Sequence, residues 1–223
     1  MRITKFSIVS AIIVLAFSCN GPASAIDFYT GSLLGYNGGH GLQVNSTLGN
    51  FAKDFPFKVK LSVGYVSRSP GNALDARKIF INNNTNGTPK AKGWVWDFRM
   101  DLLYPVAWFS MKRSFLYLGP RYDFFTGYFS YIGGNEEFDV SARNWGWGIG
   151  LEMYFAMSSQ IDLVFSTGLD YFLPATFHGH DTSYSPNGQT INGREDYTYK
   201  DADKAINQPD FEYRIMIGFN FVL

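Results

Sequence analysis

The sequence predicts an all-β protein, an eight-stranded antiparallel up-and-down transmembrane β-barrel. Eight stretches carry apolar residues at every second position, which is the side-chain period of a strand with one apolar face. The last stretch, from Phe211 to Leu223, stays two-faced up to the final residue. Such a strand needs a partner on both edges, and in a closed membrane barrel the last strand finds its second partner in the first.

Composition narrows the class of protein. The chain has 223 residues, enough for one or two domains, and its 19 Lys and Arg balance 19 Asp and Glu. This balance argues against binding to nucleic acid. Aromatic residues make up 18% of the chain and glycines number 23, which favours strands with close backbone contacts over helices.

The first 25 residues are predicted to be a signal peptide that is removed, leaving a barrel domain over residues 26–223. Arg2 and Lys5 give a basic start, an apolar run follows, and the small residues 23–25 form a cleavage site. Cys19, the one cysteine, supports an alternative in which the N-terminus is lipidated. Cleavage after residue 25 leaves no cysteine and therefore no disulfide.

Period-two alternation also places the individual strands. They are predicted over residues 27–36, 42–49, 57–66, 94–104, 116–128, 144–155, 161–171 and 211–223. Pro120 predicts an edge or a bulge in the fifth strand, because proline cannot donate to a ladder. Residues 67–93, 133–140 and 174–209 are predicted as exposed loops, the first with a short helix over residues 74–81. Because short links follow strands two, four and six, both termini are expected on the periplasmic side.

The polar faces of the strands distinguish a membrane barrel from a secreted β-sandwich or lipocalin-like barrel, which is the alternative class. They combine glycines with charges of both signs, and eight strands leave an interior only wide enough for side chains. We therefore expect a packed ion network that plugs the lumen, with a narrow conduit as the alternative. Its predicted members are Lys58, Lys60, Asp97, Arg99, Asp101, Arg121, Asp123, Glu152, Asp162, Asp170, Glu212 and Arg214.

Two loop motifs carry weaker chemical signals, and we predict no catalytic residue, cofactor or metal. His178, His180 and Asp181 are the weak metal or acid/base candidates, and a hydrolase site would combine the histidines with Ser183 or Ser185 and with Glu195. A solvated loop explains them more simply. The nearby acidic residues Asp196, Asp201 and Asp203 lack the spacing of a calcium loop.

Basic residues in the first long loop are candidates for binding lipopolysaccharide phosphates, since guanidinium and ammonium groups pair with phosphate. They are Arg68, Arg77, Lys78, Lys90 and Lys92.

The signal peptide, the eight alternating strands, the asymmetric loops and the terminal run Phe219-Asn220-Phe221-Val222-Leu223 resemble the small outer-membrane barrels of the OmpA/OmpX/OmpW type, often grouped as porin-family β-barrel proteins. That family usually ends in Phe, whereas this chain ends in Leu223. The resemblance implies the outer membrane of a diderm bacterium, contact with its lipid, and recognition of the last strand by the barrel-assembly machinery. A monomer is expected.

For function, the resemblance implies a structural or surface-interaction role with a largely plugged lumen. A narrow channel for small or hydrophobic solutes is the first alternative, and an outer-leaflet lipid hydrolase is the second. The ligand and the surface partner of the loops stay open at this point.

Overall fold

The computed structural model describes residues 26–51, 55–107, 113–134 and 136–222. The predicted signal peptide, Cys19 and Leu223 lie outside these residues. Eight long strands form a sheet: β1 (Asp27–Asn37), β2 (His40–Gly49), β3 (Lys58–Arg68), β4 (Thr88–Val106), β5 (Ser114–Ile132), β6 (Glu136–Ala156), β7 (Ile161–Phe172) and β11 (Phe211–Val222). Three two-residue strands lie between β7 and β11: β8 (Phe177–His178), β9 (Ser183–Tyr184) and β10 (Thr190–Ile191).

The sheet closes on itself. Each long strand pairs antiparallel with its neighbours in the chain, and β11 pairs with β7 on one edge and with β1 on the other. In the closing ladder Tyr29 stands opposite Val222 and Asn37 opposite Arg214. The predicted fold class and all eight predicted strands are confirmed.

Outward-facing side chains make the barrel suited to lipid. Along β6, for example, Trp145, Trp147 and Ile149 are all more than half exposed, while Asn144 and the intervening glycines face the lumen. Apolar side chains face outward on all eight strands, whereas charged side chains are buried inside. This arrangement is the reverse of a soluble protein, and it identifies a transmembrane barrel because only lipid solvates such an outer face.

Two short helices occur in the connections at one end: α1 (Ala73–Phe80) and α2 (Tyr199–Ala205). The Asn72 side chain accepts hydrogen bonds from the backbone N–H groups of Leu74 and Asp75 and so starts α1 one residue before the predicted position. Thr198 and Asp201 form a capping box that starts α2, which the sequence analysis did not predict. Within the described parts of the chain, neither helix has the length and hydropathy needed to span a membrane.

The long connections fold into a second layer, which we call the cap. It consists of α1, α2, β8 to β10 and the ends of β4, β5 and β6 that continue beyond the barrel. Its apolar core comprises Val66, Ala76, Ile79, Phe80, Val95, Phe125, Phe129, Tyr131, Phe138, Val140, Ala142, Ala175, Phe177, Tyr184, Ala202, Ala205 and Ile206. The opposite end of the barrel, where the connections are short, is called the turn end.

The cap corrects the loop predictions. Residues 88–92 belong to β4 and residues 136–140 to β6, so these parts of the predicted loops are strands, and β5 continues to residue 132, beyond its predicted end at residue 128. In the extended ends of β5 and β6 the inward side chains, such as Phe129 and Val140, are apolar, whereas the inward positions of these strands inside the barrel include charged residues, Asn144 and glycines. Residues 174–209 contain β8, β9, β10 and α2, which pack into the cap core.

Pro120 lies in a central strand, not at an edge. It stands opposite Trp147 in the β5–β6 ladder, and its ring interrupts the ladder to β4 between the pairs Arg99 with Arg121 and Leu102 with Leu118. The prediction of an edge strand was therefore wrong, because a closed barrel has no edges. The predicted irregularity is present on the β4 side.

Candidate functional site in the barrel lumen

The twelve charged residues predicted for the lumen all lie on strands with their side chains turned inward. Eleven of them are buried, and Lys58 at the turn end is half-buried. They do not form one continuous chain of ion pairs. Three groups are distinguished by height along the barrel axis.

The middle group joins strands that are far apart in the sequence. Arg99 donates to Asp97 and to Asp170, each at 2.5 Å. Arg121 lies 2.9 Å from Asp170 and 2.8 Å from Asp101. Asp170 therefore bridges two guanidinium groups, and the unit links β4, β5 and β7 across the lumen. Buried charges of this kind are tolerated only when each has a partner.

The group near the turn end contains two separate pairs. Lys60 lies 2.7 Å from Glu152, and Arg113, which the sequence analysis did not select, lies 2.8 Å from Asp162. Lys58 makes no ion pair among the described residues. Its ammonium group donates to the Tyr29 hydroxyl at 3.2 Å.

Arg214 is held by neutral groups. It donates to the Gln43 side-chain oxygen and to the Ser166 hydroxyl, each at 2.6 Å. The Ser166 hydroxyl donates in turn to Glu152, so Arg214 reaches that carboxylate through one intervening side chain. Gln43 and Ser166 were not predicted as members of the network, although both occupy inward-facing positions of predicted strands.

The group at the cap end includes Arg68, which pairs with Glu212. Asn37 bridges Asp97 and Arg99 by donating to the first and accepting from the second, at 3.0 Å each. Asp123 has no ion pair among the residues that the structure describes.

An apolar cluster fills the lumen between the middle group and the turn end. It consists of Leu33, Leu103, Phe115, Tyr117, Tyr154, Val164 and Met216. Tyr117 lies over Gly150 on the adjacent strand β6 and over Gly168 on β7, where an added Cβ would meet its hydroxyl oxygen at 2.3 and 2.1 Å. Two glycines of the inward face thus make room for a large aromatic side chain.

Little free space remains beside this cluster. A cavity of about 10 Å³ lies between Tyr29, Lys58 and Tyr154, which is room for no more than one water molecule. At this height side chains fill the cross-section of the barrel.

Two segments of the cap close the other end of the lumen. Gly71 forms an isolated bridge with Ile206, and Asn72 and Asn207 donate backbone hydrogen bonds to Ala205 and Pro70 at 2.8 and 3.0 Å. These bonds tie the chain after β3 to the chain before β11. The cap core packs directly above them, so that the lumen is covered as well as filled.

Arg77 anchors α1 within the cap. Its side chain is fully buried, lies 2.6 Å from Glu136, and donates to the carbonyl and side-chain oxygens of Asn86. The ring of Tyr131 lies 4.1 Å below the guanidinium. A hydrogen bond from Asn82, together with Arg77, holds the pKa of the Glu136 carboxyl below its usual range.

The structure corrects the prediction that Arg68 and Arg77 bind lipopolysaccharide phosphates, because both side chains are buried in ion pairs. The Lys78 side chain is partly exposed, and its ammonium lies 3.6 Å from Asp75, one turn earlier in α1. Lys90 and Lys92 are exposed on the outer end of β4.

The loop motifs lie on the cap surface. His178 is exposed, and His180 lies 2.8 Å from Asp181 with both side chains more than 70% exposed. Ser183 is buried, and the Ser185 hydroxyl accepts a hydrogen bond from Thr176. His178 stands opposite Ser183 in the β8–β9 ladder, but among the described residues no hydrogen bond joins a histidine to the hydroxyl of Ser183 or Ser185.

The acidic residues of the second long loop have structural partners. Asp201 accepts hydrogen bonds from the backbone N–H and the hydroxyl of Thr198, which lowers the pKa of its carboxyl, and Asp203 accepts from Gln208. Over the described ranges, no group of three or more His, Cys, Asp or Glu side chains is placed to hold a metal ion.

Comparison with known proteins supports the fold. A major outer membrane protein from Thermus thermophilus superimposes with a TM-score of 0.72 at 22% identity, over 89% of this chain and 100% of that one. Acinetobacter baumannii CarO2 aligns over 88% of this chain and 98% of its own, with 12% identity. The TM-score of 0.43 indicates only a distant structural similarity. No protein-family model and no curated protein matches the chain. The chain therefore has the fold of a small eight-stranded outer-membrane barrel protein.

Proposed function

We propose that this protein is an integral outer-membrane barrel with a sealed lumen, and that it acts through the cap as a structural or surface-interaction protein. The observation that carries the proposal is the filling of the lumen. An apolar cluster, buried ion pairs and the cap follow one another along the barrel axis. Within the residues that the structure describes, such a stack is expected to block the passage of a hydrated solute.

The remaining features support the same proposal. The apolar outer face suits membrane lipid, and β11 is a two-faced terminal strand of the type that the barrel-assembly machinery recognises. Because long connections of such barrels face the cell exterior, the cap is placed outside the cell and both ends of the described chain in the periplasm. Closure is complete within one chain, which fits a monomer.

Cysteine labelling tests location and orientation. Ile191 in the cap and Met157 at the turn end are equally exposed, at 64% each. An impermeant maleimide should label Ile191→Cys in intact cells and Met157→Cys only after the outer membrane is permeabilised. Equal labelling of both, or recovery of soluble protein, contradicts the assignment.

Planar-bilayer recording tests the sealed lumen. The folded protein, verified by its faster migration on unheated gels, should produce no discrete conductance steps under conditions in which a general porin conducts. Reproducible steps would favour the alternative of a narrow channel for small solutes. A variant that truncates Tyr117 and Tyr154 to Ala should then conduct more than the wild type.

A further inference from the structure

Three oxygen-bearing side chains form a row at the cap end of the lumen. Asp97 on β4 stands opposite Asp123 on β5, and Asp123 stands opposite Asn144 on β6. All three face inward, with exposures of 1%, 3% and 0%. Directly opposite positions on one face bring Cβ atoms within about 5 Å of each other, so the Asp123 side chain lies between those of Asp97 and Asn144 and next to both.

Each of these side chains has an oxygen without a hydrogen-bond partner. The atoms are Oδ1 of Asp97, Oδ1 of Asp123 and Oδ1 of Asn144. The orientation of the amide is fixed, because Asn144 Nδ2 contacts only acceptors, namely the Gln208 side-chain oxygen at 3.0 Å and two backbone carbonyls of the cap at 3.5 Å. The Asn144 oxygen must therefore point away from the cap.

The charges in the row are also incompletely balanced. Every other carboxylate predicted for the lumen lies within 4 Å of an Arg or Lys, but Asp123 does not. Its charged neighbour in the row is Asp97, which stands directly opposite it in the β4–β5 ladder. Arg99 occupies the other oxygen of Asp97 at 2.5 Å. Two carboxylates this close repel each other unless a positive species lies between them.

We propose that Asp97, Asp123 and Asn144 form a binding site for a hard metal cation that is ligated by oxygen. A shared proton would satisfy two acceptors at most, whereas a cation can accept electron density from all three. Carboxylate and amide oxygens are the ligands of such ions. Gly64, which stands opposite Asp97 on β3, leaves room for one further atom beside that carboxylate, because an added Cβ would lie at contact distance, 3.5 Å, from Asp97 Oδ2.

The cation supplies the positive charge that Asp123 lacks. It joins β4, β5 and β6 directly below the point where these strands leave the barrel and enter the cap. Its expected effect is on the stability of this junction. The site is independent of whether the lumen conducts or where the cap faces.

Unfolding of the refolded full-length barrel in detergent micelles tests the site. After chelation, Ca²⁺ and Na⁺ are added in separate arms, with the ionic strength held constant by an organic salt. A cation that binds only the folded state should lower the unfolding equilibrium constant by about 100-fold at a concentration of one hundred times its Kd. The arm that responds identifies the ion.

Two matched variants locate the effect. Asp123→Asn should be at least as stable as the wild type in chelator, because an unpaired charge is removed, and it should lose the response to the cation. Asp101→Asn removes a lumen carboxylate that Arg121 already neutralises; it should be less stable in chelator but keep the cation response.

Terbium luminescence on the wild type provides a second measurement if a variant does not fold. Emission sensitised by the neighbouring aromatic rings, and displaced by Ca²⁺, is expected for a calcium-binding site. Equal stability with Ca²⁺, Na⁺ and chelator, or a response that persists in Asp123→Asn, overturns the proposal. Stability that depends on pH but on neither cation also overturns it and indicates a shared proton.

Discussion

The barrel and the cap are built from the same strands with opposite interiors. On β5, Arg121 and Asp123 face inward within the barrel, while Phe129 and Tyr131 face inward a few residues further along. Outside, the polarity is reversed, because the barrel presents apolar side chains and the cap presents charges such as Lys92 and Asp139. The comparison teaches that the solvent of each region, lipid or water, decides which face of a strand is polar.

The largest expected effect comes from breaking the ion network of the barrel. Arg99→Met leaves Asp97 and Asp170 with less compensation in a buried site, so we expect a loss of about 3–5 kcal/mol of unfolding free energy. Urea unfolding in micelles, followed by heat-dependent migration on gels, measures it.

Arg143→Met is the matched control for that experiment. Arg143 is exposed on the cap end of β6, 5.7 Å from the Phe124 ring, so the expected loss is at most about 1 kcal/mol. Similar losses for Arg99→Met and Arg143→Met would refute the contrast between buried and exposed charge.

A second prediction targets the apolar core of the cap. Phe129→Ala removes a side chain with no solvent exposure and should cost the cap about 3–4 kcal/mol. Because the barrel has its own core, we expect protease cleavage within the cap while the heat-dependent gel shift of the barrel persists.

Phe98→Ala serves as the comparison, since Phe98 is 40% exposed on the lipid face. It should leave protease resistance of the cap unchanged. If Phe129→Ala instead abolished the gel shift, the two regions would fold as one unit.

A third prediction concerns pH. The pKa of Glu136 is lowered in the folded cap, so its contribution to stability is present above the unfolded value and is lost as pH falls through the folded value. Glu136→Gln should destabilise the cap by about 1–2 kcal/mol at neutral pH, because Arg77 loses its charged partner.

The readout is limited proteolysis of the wild type and Glu136→Gln across the acidic range. Their difference should shrink as the pH falls below the usual range of a glutamate carboxyl, because the wild-type side chain then becomes protonated. A difference that stays constant with pH would show that charge at Glu136 is not what stabilises the cap.

The smallest expected effect is at the start of α1. Asn72→Ala removes the side-chain oxygen that accepts from Leu74 and Asp75, and it should cost about 1 kcal/mol. Asn72→Asp keeps the acceptor and should restore most of the loss. Local amide hydrogen exchange in residues 73–80 measures the protection of α1 in both variants. Equal protection in Asn72→Ala and the wild type would contradict the helix-capping role of Asn72.

The barrel was predictable from sequence because its apolar period is two on every spanning strand, and the terminal strand residues 211–222 show this most clearly. The extended ends of β5 and β6 could not be predicted in the same way, because the alternation continues there but the apolar residues change to the inward face. Phe129 and Val140 therefore fall on the face that carries charge lower down, and the segments resemble polar loops. In α2, the Thr198 and Asp201 pair was the local signal that could have been recognised.

For the lumen, sequence predicted which residues face inward but not their partners. The alternation along a strand determines which face a residue occupies. It does not determine ion pairs between strands far apart in the chain, such as Lys60 with Glu152 and Arg99 with Asp170. Those pairs depend on barrel diameter and strand stagger, which period-two patterns do not contain.

Closure of the barrel also determines the order in which the chain can mature. Tyr29 cannot meet Val222 until the chain has been synthesised through β11, so the edge of β1 that pairs with β11 stays open until then, although β2 can pair with the other edge. Contacts this distant in sequence make folding slow and expose unpaired edges to aggregation. The newly made chain is therefore expected to depend on chaperones that shield β1 until β11 arrives.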